Sequence, residues 1–115
     1  MIAWKEFILQ DGKLRSLGAF YQGKPFATYS ETTPWVRNKL RQGPAACYKT
    51  KEDALNLSVY TLSTEERALY KVRIVKSRAT IFWGVSPLGK VLTLRNLLSH
   101  IVLADKVTLL GKETY

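Results

Sequence analysis

Cysteine is almost absent: Cys47 stands alone in 115 residues, which excludes an intramolecular disulfide framework and a thiolate metal cluster and favours a reducing setting. Histidine is as scarce. His100 has no second histidine or cysteine beside it, so it makes a poor metal site, and neither a metal nor a cofactor is expected. Long apolar runs are missing too, and Lys5 and Glu6 interrupt the N-terminus before a signal-peptide core can form. The expectation is a soluble cytoplasmic chain with no membrane partner. A Gly-rich phosphate loop of P-loop or Rossmann spacing, H-E-x-x-H, C-x-x-C and G-x-S-x-G are all lacking, so none of the common catalytic signatures applies. Internal repeats and low-complexity segments are absent as well.

Acidic residues are few. Eighteen lysines and arginines face nine aspartates and glutamates, a net charge of +9 with an isoelectric point near 9.9. That balance attracts polyanions, whether nucleic acid, nucleotides, an anionic membrane surface or an acidic protein, although scattered cations also serve simply to keep a surface wet. With 46% hydrophobic and 23% charged residues the composition is globular, and the length suits a single domain over 1–115 with one core.

Along the chain, Ile2 to Gln10 and Lys13 to Leu17 flank Asp11-Gly12, a type I′ hairpin signal. Phe20-Tyr21-Gln22 and Phe26 to Tyr29 suggest short strands around Gly23-Lys24-Pro25, with Pro25 at a turn or an edge. Residues 34–42 read either as a short helix, with Thr33 as N-cap and Pro34 at its first position, or as an ordered loop. Ala45 to Thr50 reads as a strand running into a helix capped by Thr50, with Glu52 and Asp53 in its first turn, and the helix ends near Tyr60 or Leu62. Leu55, Val59 and Leu62 share its inward face. The strongest strand signal is Ala68 to Val75, where Ala68, Tyr70, Val72 and Ile74 alternate with Leu69, Lys71, Arg73 and Val75. Neighbouring it is a strand from Ala79 to Val85; Leu92 to His100 holds a helical turn or two, and Lys106 to Leu110 a last strand. Short strands with one clear helix and no βαβ alternation predict an α+β fold, a mostly antiparallel sheet with one main helix packed across a face.

Catalysis finds little support. Cys47 and His100 have no sequence-local partners, and the Glu52-Asp53 and Glu65-Glu66 pairs have capping or turn explanations. No catalytic residue is named and no enzyme is expected. The positive case rests on cations and aromatics: guanidinium groups grip phosphate bidentately, and aromatic rings stack on bases. The expected ligand-binding set is Trp35, Arg37, Lys39, Arg41, Tyr48, Lys71 and Arg73. Trp35, Trp4 and Trp83 also read as core anchors.

Taken together, Asp11-Gly12-Lys13-Leu14-Arg15-Ser16-Leu17, Tyr48-Lys49-Thr50-Lys51-Glu52-Asp53-Ala54 and Tyr70-Lys71-Val72 resemble small uncharacterised bacteriophage proteins in their order and spacing. The likeness touches about a third of the chain and its motifs are a hairpin turn and a helix cap, so it transfers no catalytic residue. Gly43-Pro44-Ala45-Ala46-Cys47 departs from the Gly-rich or His-containing approach of those proteins. The resemblance implies a viral accessory or anti-defence protein in the host cytoplasm that works by stoichiometric binding. The expected ligand is a nucleic acid or a nucleotide messenger held on a positive face; the alternative is a protein-protein inhibitor docking an acidic host factor. Homo-oligomerisation is left open.

Overall fold

The computed structural model describes residues 1–16, 20–21, 24–25, 28–38, 44–56, 66–79, 81–85, 91–93 and 100–114. In chain order the elements are β1 (Ile2–Gln10), β2 (Lys13–Ser16), β3 (Phe20–Tyr21), β4 (Lys24–Pro25), β5 (Thr28–Tyr29), β6 (Trp35–Val36), β7 (Ala45–Tyr48), α1 (Lys51–Asn56), β8 (Glu66–Lys76), β9 (Ile81–Val85), β10 (Val91–Thr93) and β11 (Ile101–Glu113). Asp11 and Gly12 both take positive φ, 53° and 73°, as a type I′ turn demands, and Gln10 pairs with Lys13 across it. The hairpin is as the sequence predicts.

The expected α+β class is wrong. The fold is mostly β: a closed four-strand barrel with extra strands, and its one helix among the described residues is short. Thr50 caps α1 as predicted, its hydroxyl accepting from the Asp53 N–H at 3.1 Å, but α1 is described only to Asn56; the expected continuation to Tyr60 or Leu62 lies outside the described residues. The residue it buries is Ala54, while Leu55, expected to face inward, is exposed. The sheet is organised by its long strands: β8 pairs with both β1 and β11 along most of its length. Trp35 and Val36 form a strand within the segment that reads as a helix or loop; Leu92 and Thr93, at the start of the expected Leu92 to His100 turns, belong to β10, and residues 94–99 of that stretch lie outside the described residues.

The barrel is built around β8. One of its edges pairs with β1 and the other with β11, and β7 joins the far edges of those two strands. This corrects the expectation that the Ala79 to Val85 strand lies beside it: β9 pairs with β10. Followed from Trp4 through Tyr48 the ring arrives at Ile101, and followed through Lys71 it arrives at Gly111, ten residues further along β11. So large a register shift over four strands means steep tilt, which is why β8 and β11 are long. Two bulges, at Asp105 and Leu110, bend β11 around the ring.

A ring this narrow has little room inside. Alanines at 3, 45, 68 and 104 and Cys47 take the tight positions, while Phe7, Tyr70, Val72, Ile74, Val102 and Val107 fill the rest. The predicted inward face of β8 is correct: Ala68, Tyr70, Val72 and Ile74 are buried and Lys71, Arg73 and Val75 are exposed. Outside the barrel, Leu69, Ile8, Leu103 and Ala54 are buried as well.

The closing seam between β1 and β7 is short. Backbone pairing is confined to Trp4 and Tyr48, because from Phe7 onward β1 turns the same edge to β2. One step beyond that pair the Lys5 amine, inside the barrel, donates to the Ala46 carbonyl at 2.9 Å and lies over the Phe7 and Tyr29 rings. Burial lowers the Lys5 pKa, opposed in part by Cys47, and burial raises that of Cys47 in turn.

Two outcomes test this packing. Val72→Asp places a carboxylate at a position with no exposed surface and should cost about 3 kcal/mol or more in urea unfolding; a loss below 1 kcal/mol would contradict the barrel interior. For Lys5, the unfolded chain binds the extra proton between the lowered folded pKa and the ordinary value of 10.5, so stability rises with pH through that window. Cys47 acts oppositely above pH 9.0, so the informative quantity is wild type minus Lys5→Met at each pH. That difference should climb in favour of wild type up to pH 10.5; a flat profile would mean the amine is hydrated in the native state.

Candidate functional site

Because successive residues of a strand face opposite ways, whatever alternates with the buried set of β8 stands outside the barrel. Lys71 and Arg73 do so, about 6.6 Å apart along the strand at the usual rise. On the neighbouring strand Lys106 lies opposite Val75, one diagonal step from Arg73. The three cations run as a line across β8 and β11, all exposed, and none forms an ion pair with a described residue. Thr108 sits opposite Arg73 on one side and Ile2 on the other, and Trp4 opposite Lys71. Apolar side chains fill the gaps: Val75, Ile2 and Leu110 are exposed, as is Val36, which faces Lys106 from β6.

Other cations are already committed. The Arg37 guanidinium donates to Asp105 at 3.0 Å and to the Ser77 hydroxyl at 3.4 Å, its backbone N–H donates to the Asp105 carbonyl, and its side chain is only 10% exposed. It therefore clamps β6 to the first bulge of β11. Arg67 pairs with the buried Glu6, and Lys51 reaches from α1 to Glu113. Sequence spacing cannot separate these from free cations, since Asp105 is 68 positions from Arg37.

The remaining expected residues divide. Lys39 and Arg41 lie outside the described residues. Trp35 pairs with Val107 and packs on the core, its ring 5.5 Å from that of Tyr29, so it anchors β6 and is not set on the cationic face. Tyr48 is half-buried and stacks on His100, with centroids 6.2 Å apart and planes 13° apart. It stands beside Trp4 in the same cross-strand row as Lys71. Of the expected set, then, Lys71 and Arg73 come together and Tyr48 sits at their margin. Lys106 is the addition, and its signal was the alternation Lys106-Val107-Thr108-Leu109, in which the cation takes an outward position.

A concavity opens at the hairpin end of the barrel, away from the cationic face. There the Tyr70 hydroxyl, on β8, donates to the Glu31 carboxylate, and burial together with that carboxylate pushes the phenol up to about 12. No three His, Cys, Asp or Glu side chains gather into a metal-binding group, and no helix is long and apolar enough to cross a membrane, among the described residues.

If Arg37 is a clamp, Arg37→Gln should lower unfolding free energy by about 1.5–3 kcal/mol, the range for hydrogen bonds to a charged group, and leave any affinity for a polyanion within twofold. Unchanged stability with a large loss of affinity would move Arg37 into the site. No protein-family model, curated protein or solved structure matches this chain.

Proposed function

We infer that this is a non-enzymatic binding module that captures a nucleic acid by its phosphates on the outer face of β8 and β11. The observation that supports this is the line of Lys71, Arg73 and Lys106, exposed and without a described carboxylate partner. Three cations at strand spacing neutralise successive phosphates, and Arg73 adds bidentate geometry. Exposed cations at repeating outward positions on two adjacent strands suit the recurring phosphates of a polymer better than a single messenger. A viral accessory role of the stoichiometric, anti-defence kind fits such a surface.

A second reading has its own support. Ile2, Val75, Leu110 and Val36 are exposed between the cations, and an apolar centre with a charged surround is the anatomy of a protein interface. In that reading the partner is an acidic protein, and inhibition follows from covering it.

Fluorescence anisotropy with a labelled duplex and a labelled single strand, repeated across a salt series, distinguishes the two. Phosphate neutralisation by three cations predicts a log–log slope of about −2 to −3, lost stepwise by about 1 for each of Lys71→Gln, Arg73→Gln and Lys106→Gln. Val75→Ser should leave that affinity intact. No binding at low salt, or a slope that none of the three substitutions alters, would overturn the nucleic-acid reading; strong dependence on Val75 in pull-downs of an acidic protein would support the second.

A further inference from the structure

We propose that the open mouth of the barrel is a second binding site, separate from the cationic face, for one small phosphorylated molecule with a flat, N–H-bearing body, the chemistry of a nucleoside monophosphate. Its existence follows from the way β1 divides its pairing. Past Phe7, β1 is flanked by β2 and β8, then β5 beyond β2 and the end of β11 beyond β8. At this end β5 and β11 do not pair with each other among the described residues, so the ring stays open and leaves a cleft of about 560 Å³. Barrel mouths of this size commonly take small ligands, typically at about 300–1,000 Å³.

The lining narrows the chemistry. Leu9, Leu14 and Tyr29 make an apolar floor, which favours a flat organic body over a hydrated inorganic ion. Lys13 from the hairpin and Lys112 from β11 border the cleft from different strands, and neither is ion-paired among the described residues. Two ammonium groups on one small space call for an anionic group. Glu31 would repel that group, but the Tyr70 hydroxyl holds one of its oxygens, and the other has no described partner. That oxygen is an acceptor for a ligand N–H. An apolar body, an anion at one end and an N–H at the other together describe a phosphorylated nitrogen heterocycle. A fatty acid would leave Glu31 unanswered, and phosphate alone would leave the floor wet.

This site is independent of the cationic face. Lys112 lies opposite Tyr70, at an inward position of the register, whereas Lys71 next to it on β8 points outward. A ligand in the mouth and a polymer on the face would therefore occupy opposite sides of the same sheet.

The test is heteronuclear NMR titration of the full chain with AMP, GMP, CMP and UMP, against adenosine, inorganic phosphate and dodecanoate. Saturable shifts at Lys13, Tyr29, Glu31, Tyr70 and Lys112 with at least one monophosphate are expected, with adenosine and phosphate at least tenfold weaker. Lys13→Gln with Lys112→Gln should weaken the monophosphate at least fivefold while the spectrum keeps its native dispersion. Lys71→Gln, Arg73→Gln and Lys106→Gln together should leave it unchanged. No saturable binding by any monophosphate, dodecanoate binding as tightly, or loss of binding in the face variant alone would overturn the proposal. Shift mapping on the wild type decides the matter if the double variant fails to fold.

Discussion

The fold depends on β1 meeting two partners along one edge. Its first half closes the barrel against β7, its second half opens toward β2, and the changeover falls at Lys5. At a changeover the departing strand leaves carbonyls without ladder partners, and a buried unpaired carbonyl costs free energy comparable to a lost hydrogen bond. The Lys5 amine answers the Ala46 carbonyl at that point, reaching it from inside over two aromatic rings. Desolvating an amine is expensive, and its lowered pKa records that cost. Closure at one end and divergence at the other then follow from the same strand: the closed end sets which residues face out, and the divergent end leaves the mouth.

Charge is partitioned by the same geometry. Cations near a bulge or a strand end are drawn into clamps, Arg37 on Asp105, Lys51 on Glu113 and Arg67 on Glu6. Lys71, Arg73 and Lys106, at regular outward positions along β8 and β11, have no acid opposite them, because their cross-strand neighbours are Ile2, Trp4, Val36, Val75, Thr108 and Gly111. Placing cations on adjacent strands without compensation costs a little stability through self-repulsion. Bound polyanion would relieve it.

Local signals were legible where the physics is local. The Asp11-Gly12 turn, the Thr50 cap and the two-residue alternation of Ala68 to Val75 each depend on neighbours within a few positions, and each is found. The barrel was not legible, since its closure requires β1 to find both Val72 and Tyr48 across long separations that no short pattern encodes. The alanines that make a narrow ring possible look unremarkable in a line of text. Lys5-Glu6 was misleading in a specific way: the pair reads as a polar interruption, yet the strand sends one charge into the barrel and the other beneath Arg67, and both are buried. The cationic face was half legible: period sets Lys71, Arg73 and Lys106 outward, but only the pairing of β11 with β8 brings Lys106 beside the other two.

The most direct test of the closed barrel is a set of cross-strand nuclear Overhauser contacts from the backbone of Trp4. The account predicts contacts to Lys71 on one side and to Tyr48 on the other in the same sample, with slow amide exchange through the Trp4–Tyr48 seam. Contacts to Lys71 without any to Tyr48 would mean an open sheet, and the inward and outward assignments built on closure would no longer hold.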